Sequence, residues 1–288
     1  MRGMNRLGEN ERSLMQLRDI AVDVAVAAAE VIRQTDEDAR QSLAETTQTK
    51  TSAVDPVTVV DQAAEAFISE RLATLCPTDG LIGEEGHRRS GTSGIDWIVD
   101  PIDGTVNFLY QIPRYAVSIA AVVEGQPVAG AVVNVATGTI YRAYRTGPAE
   151  RATSADAGDW AMITASSCTD IHQALIATGF SYESSRRTAQ AAVFQHVIPV
   201  VRDIRRMGAA ALDLCSLAEG SVDGYYEHAL HGWDWAAGAV IAAAAGAHLD
   251  LPPLDRPAGG GAPLVAAAEG VWDEFSRLLR EAGGYRHL

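Results

Sequence analysis

Two carboxylates three positions apart, Asp100 and Asp103, run straight into Gly104-Thr105 and form the densest piece of chemistry in this chain. Trp97, Ile98 and Val99 lead into them and Val106-Asn107-Phe108 follows, which reads as a strand ending in an acid-lined turn that opens a helix. Carboxylate oxygens are hard ligands, and the free amides of a helix start favour an anion, so such a turn can hold metal and phosphate together. Gly104 lets backbone approach a ligand with no Cβ in the way. Asp-Pro and Asp-Gly are also ordinary turn dipeptides, and on that reading the segment is a plain connection. The rest of the chain changes the balance.

Further acids sit where elements begin or end. Leu81-Ile82-Gly83 is a short apolar strand followed by Glu84 and Glu85; strand neighbours face opposite ways, so Glu84 is expected at the site and Glu85 away from it. Thr58 and Asp61 have the spacing of a helix cap and its third-position acid, with a helix running on through Ala64, Phe67, Ile68, Leu72 and Leu75. Asp61 either supports that helix start or shares a site with Lys50 and Asp55. In the second half Glu227 ends an aromatic-flanked strand, and Asp234 opens an otherwise apolar helix. An acid at a core boundary is costly unless paired or metal-bound, although a first-turn acid also serves the amides and dipole of its own helix. His228 and His231 have no matching cluster that would make them metal ligands.

The elements that must position these groups follow from periodicity. Leu14, Leu17, Ile20, Val24, Ala28 and Val31 have helical spacing, whereas residues 35–49 are polar and read as a loop or mobile arm. Stretches 115–123, 127–135 and 139–144 look like strands joined by Glu124-Gly125 and Thr137-Gly138, a meandering sheet that carries two helices. Small and polar residues 147–159 suggest a boundary between halves, placed at 1–150 and 151–288. Beyond it come strand 174–178, helices 188–202 and 209–219, strand 223–227, helix 233–245, a Pro/Gly loop 251–263, strand 264–268 and helix 271–282. That alternation predicts an α/β second half after an α+β first half.

At 288 residues and 47% hydrophobic content the chain can bury a large core. A net charge of −14 argues against nucleic acid or anionic membrane as a partner, because those surfaces demand clustered cations. Cys76, Cys168 and Cys215 are widely spaced and read as reduced thiols of a cytoplasmic protein. Residues 1–13 lack the apolar core of a signal peptide, and the longest small-apolar run, 235–247, is too short to span a bilayer.

Lys50…Asp55…Thr58…Asp61, Gly83-Glu84-Glu85, Asp100-Pro101-Ile102-Asp103-Gly104-Thr105-Val106-Asn107-Phe108 and Trp233-Asp234-Trp235-Ala236-Ala237-Gly238 stand in the order of the signatures of the inositol monophosphatase family, which the chain resembles from Leu14 to its last helix. The resemblance implies a layered αβαβα sandwich, Mg²⁺-dependent hydrolysis of phosphate monoesters, and a homodimer. It implies one metal on Glu84, Asp100 and the Ile102 carbonyl, a second between Asp100, Asp103 and Asp234, and a weaker third touching Glu84. Thr105, hydrogen-bonded to Asp61, would orient the attacking water, the Gly104 and Thr105 amides would hold phosphate, and Ala210 and Glu227 would meet substrate hydroxyls. Departures are Ala244-Ala245-Gly246-Ala247, where the family commonly carries an acid, and an unrecognisable hairpin turn in 147–159. The expected substrate is a small phosphorylated polyol, myo-inositol monophosphate first, with histidinol phosphate or fructose 1,6-bisphosphate as alternatives. A non-enzymatic scaffold of the same fold is the reading from another class, and the intact acids speak against it.

Overall fold

The computed structural model describes residues 12–45, 56–154, 158–254, 256 and 260–288. Two helices come first, α1 (Leu14–Glu45) and α2 (Pro56–Leu75). An eight-stranded sheet follows, built from β1 (Gly80–Gly83), β2 (Arg88–Arg89), β3 (Ile95–Asp103), β4 (Ala116–Val123), β5 (Gln126–Asn134), β6 (Ile140–Tyr144), β7 (Glu150–Ala152) and β8 (Ala161–Met162), in the order β2-β1-β3-β4-β5-β6-β7-β8. The short helix α3 (Thr105–Leu109) interrupts it after β3. β1 runs parallel to β3, and the other neighbours are antiparallel.

A five-stranded mixed sheet makes up the remainder: β9 (Leu175–Thr178), β10 (Asp203–Arg205), β11 (Gly224–His228), β12 (Ala247–Asp250) and β13 (Pro263–Ala268), in the order β10-β9-β11-β13-β12. Its helices are α4 (Ser184–Val197), α5 (Ala210–Ala218), α6 (Gly232–Ala244) and α7 (Trp272–Glu281). α1 and α2 cover one face of the first sheet; α5 and α6 lie between the sheets; α4 and α7 close the far face of the second. The result is the expected layered αβαβα sandwich.

The middle layer is packed through small residues. A Cβ on Gly238 of α6 would stand 2.8 Å from the Leu214 Cβ of α5, and one on Gly130 of β5 would stand 2.9 Å from the Ala237 Cα. Only small residues let a helix pair sit this tightly between two sheets, where dispersion contacts are densest.

Several expectations need correcting. Residues 35–45, read as loop, continue α1; they contain no glycine or proline, and their Glu, Ala, Arg and Gln favour helix even without an apolar stripe. Residues 46–49, with Lys50 and Asp55, lie outside the described residues. The helix assigned to 188–202 is α4 at Ser184–Val197, and Pro199 lacks the N–H needed to carry it further. Stretch 147–159, read as a boundary, contributes β7 to the first sheet, and the change of sheet falls between Met162 and Leu175. Strands of two to four residues such as β2, β8, β10 and β12 leave no alternation to detect.

Candidate active site

β3 delivers the central acids. Its last residues, Asp100 to Asp103, are all buried, with a bulge against β4 between the two acids. Gly104 then takes φ +90, a left-handed turn that only glycine adopts without strain, and α3 starts at Thr105. Space is short there as well: a Cβ on Gly104 would lie 3.0 Å from the Ala209 Cβ and 3.1 Å from the Gly208 carbonyl oxygen. Asn107 ties α3 to its surroundings, its Nδ2 donating to the carbonyls of Arg114 and Met207, each at 2.8 Å. The Thr105 hydroxyl donates to the Ile102 carbonyl at 3.2 Å.

Asp103 bridges the layers. The Ala210 N–H donates to its Oδ1 at 3.2 Å and the Ala211 N–H to its Oδ2 at 2.7 Å. Those are free donors at the start of α5, so an acid from the first sheet caps a helix of the middle layer. Asp234 does the same within α6, accepting the His231 N–H at 2.7 Å. Asp234 is thus a first-turn helix acid that also lines the cleft.

One cleft of about 470 Å³ gathers Glu84, Asp100, Ile102, Asp103, Gly104, Thr105, Ala210, Glu227 and Asp234. Asp61 is buried on α2, and the side chain of Thr58 lies outside the described residues. As expected, Glu84 turns to the cleft while Glu85 does not line it. Glu227 accepts the Tyr225 hydroxyl at 2.6 Å. Of the histidines, His228 is buried with Nε2 3.0 Å from the Arg286 carbonyl, and His231 stacks on Trp233.

Sequence reasoning missed the opposite wall: Phe180, Ser181, Tyr182 and Arg186, which follow β9 and open α4. Polar and aromatic residues after a short strand carry no spacing signal. Ala229, also on the cleft, has φ +62 where the chain swings from β11 towards α6, a strain of the kind that collects at functional sites.

The acids repel one another. Burial first, then the charges of Glu84, Asp103 and Asp234, hold the Asp100 carboxyl far above the usual range. Asp103 is pushed well up by burial and by Asp234, against the pull of the two α5 amides. Burial and Glu84 lift Asp234 to about 8, and burial lifts Glu227 to about 7 although the Tyr225 hydroxyl and Arg206 oppose it. Glu84 is raised by burial and lies within hydrogen-bonding reach of Asp100. Asp100 Oδ1 is buried without a partner.

A divalent cation answers this arrangement: it would satisfy the orphaned Asp100 oxygen and reverse the mutual repulsion of an all-oxygen donor set. Among the described residues no three acid, histidine or cysteine side chains already stand in a ligating arrangement. The donors fit a divalent metal in kind, as oxygen ligands that line one cleft.

Acids gathered on one open cleft of a five-layered sandwich are the arrangement of a metal-dependent phosphatase, and the comparisons with known proteins place the chain in that class. The model of the inositol monophosphatase family matches residues 13–277, and the chain belongs to that family. It is 44% identical over 281 residues to the Inositol-1-monophosphatase of Mycobacterium leprae, covering 93% of this chain and 95% of that protein. A solved structure titled Mycobacterium tuberculosis SuhB superposes with a TM-score of 0.82 at 40% identity, covering 96% of this chain and all of that one. The Nus factor SuhB of Haemophilus influenzae is 35% identical over 230 residues, covering 79% of this chain and 82% of that protein.

Proposed function

We propose that this phosphatase is a Mg²⁺-dependent inositol monophosphatase that releases phosphate from myo-inositol 1-phosphate. The observation that carries the reading is the shared cleft of Glu84, Asp100, Asp103 and Asp234 facing Glu227, in a chain whose relatives at 44–46% identity are named for that activity. Glu84, Asp100 and the Ile102 carbonyl would hold one ion, and Asp100, Asp103 and Asp234 a second, with Glu84 also touching a weaker third. Ions held there would supply Lewis-acid chemistry: a lowered pKa for bound water and charge stabilisation at the phosphoryl and leaving oxygens.

The protein's own groups do the positioning. The Thr105 hydroxyl, which donates to the Ile102 carbonyl, orients the attacking water, and the family resemblance gives Asp61 a supporting part in that step. The Gly104 and Thr105 amides hold phosphate oxygens, while Glu227 and the start of α5 at Ala210 meet the polyol hydroxyls. Phosphoryl transfer needs little more than positioning and charge stabilisation, so no covalent nucleophile enters.

Val106, Leu109, Tyr110 and Ile112 expose a run of apolar side chains beside the site, a surface suited to a second copy of this chain. The three cysteines are free, in keeping with a reducing cytoplasm, and no described helix is long and apolar enough to cross a membrane. The retained acids count against a purely non-catalytic scaffold.

Phosphate release from inositol 1-phosphate, histidinol phosphate, fructose 1,6-bisphosphate and phosphoadenosine phosphate, with and without Mg²⁺, tests the reading. Preference for the inositol ester is expected, together with loss of turnover in a folded Asp103→Asn variant. A preferred ester of another kind would overturn the substrate, an unchanged rate for Asp103→Asn would overturn the ligand set, and equal rates without Mg²⁺ would overturn the metal.

A further inference from the structure

We propose that Glu65 is a positioning residue for the metal site: its buried carboxylate locks the turn 83–87 so that Glu84 enters the cleft. The proposal rests on reading Glu84 as a metal ligand. Glu65 lies on α2 one turn beyond Asp61, on the same face of the helix, and is 1% exposed. Its Oε2 accepts the Glu85 N–H at 2.7 Å, and its Oε1 accepts the His87 N–H at 2.8 Å. The His87 Nδ1 lies 2.9 Å from that same oxygen.

The two ends of the turn are fixed separately. The Gly83 N–H donates to the His87 carbonyl at 2.9 Å, and the Glu84 N–H donates to the Val99 carbonyl of β3 at 3.2 Å. Glu84 is therefore held by its own amide on β3 and by the next amide on Glu65. A carboxylate that spans two amides with both oxygens resists rotation of the turn, which a single contact would not. Inward-pointing N–H groups of a turn form a concavity that suits an anion, and here a side chain of the same protein fills it.

Gly83 shows that the space is reserved. A Cβ there would lie 2.5 and 2.7 Å from the two Glu65 oxygens, so the strand must carry no side chain at this point. Gly83 is not among the residues with positive φ, so room rather than backbone freedom is what its glycine supplies. Carboxylates outside the ligand shell that orient metal ligands typically change metal affinity by about 10–100-fold when lost.

Two variants separate position from charge. Glu65→Gln keeps one acceptor but sets an amide N–H₂ against a backbone donor, and it also removes the charge. Gly83→Ala keeps the charge and pushes the carboxylate away. Glu85→Ala, which retains the backbone N–H that Glu65 binds, is the control. Calorimetric titration of the metal-free full chain with Mg²⁺, beside melting temperatures without metal, provides the readout. Glu65→Gln and Gly83→Ala should each weaken Mg²⁺ binding by about 10–100-fold, with Glu85→Ala unchanged. A lowered melting temperature with parental Mg²⁺ affinity would make Glu65 merely structural and overturn the proposal. If Glu65→Gln does not fold, Gly83→Ala decides alone. Failure of the parent chain itself to bind Mg²⁺ would overturn the metal reading, and this proposal with it.

Discussion

Replacing Asp234 by asparagine should stabilise the metal-free protein at alkaline pH while removing its response to Mg²⁺. Burial and the Glu84 charge hold the Asp234 carboxyl at about 8, against an ordinary value of 3.8. Below about pH 4 both the folded and unfolded chains keep this proton, and the group is neutral to stability. As pH rises from about 4 to about 8 the unfolded chain releases the proton while the folded chain retains it, so the penalty grows across that window and is complete above it. At roughly 1.4 kcal/mol per unit, the full shift corresponds to roughly 6 kcal/mol. Glu84 and Asp100 share the same crowding, so relieving one carboxylate recovers about half of that, roughly 2–3 kcal/mol. Asparagine keeps an oxygen for the His231 N–H, which Asp234 accepts at 2.7 Å, so the start of α6 stays capped. The melting temperature at about pH 8 should rise by about 5–10 °C. Scanning calorimetry in chelator, across the window and with Mg²⁺ restored, is the assay. A gain of equal size below pH 4, or a loss at pH 8, would refute the electrostatic reasoning; stabilisation of the variant by Mg²⁺ as strong as that of the parent would refute Asp234 as a ligand.

Further outcomes follow from single contacts. Gly179→Ala would drive a Cβ into both oxygens of Glu227, so kcat/KM for inositol 1-phosphate should fall by about tenfold or more while Mg²⁺ affinity stays put; a parental kcat/KM would remove Glu227 from substrate contact. Thr105→Val deletes the hydroxyl that donates to the Ile102 carbonyl, and steady-state kinetics should show kcat down by about 100-fold with the fold intact. Tyr110→Asp places a charge in the exposed apolar run after α3, and light scattering should find a dimer for the parent chain and a monomer for the variant.

Much of the site was legible because its acids sit at element ends, where local pattern speaks. The run from Trp97 to Phe108 combines an apolar strand, two acids, a glycine and a helix start, and the structure keeps that order. Glu84 and Glu85 do part as expected, but in the turn after β1, where the partners of their amides rather than strand alternation set their directions. The wall from Phe180 to Arg186 was not legible, since a loop lining a cleft obeys no period. Nor was the end of α1, whose polar last turns carry no apolar stripe. Glu65 has no spacing signal that would single it out, and only the turn folded over it reveals what it holds.

By itself the sequence determined the strands and helices with strong period, the acids at their ends, and the metal-dependent phosphate chemistry those acids imply, because hydrophobic spacing and donor type are local properties. Tertiary structure decided which acids share one cleft, which oxygen is left unpartnered and how far each proton is held. Those depend on groups more than a hundred residues apart, such as Asp103 on β3 and the amides of Ala210 and Ala211 on α5, whose meeting is set by the packing of two sheets around small residues.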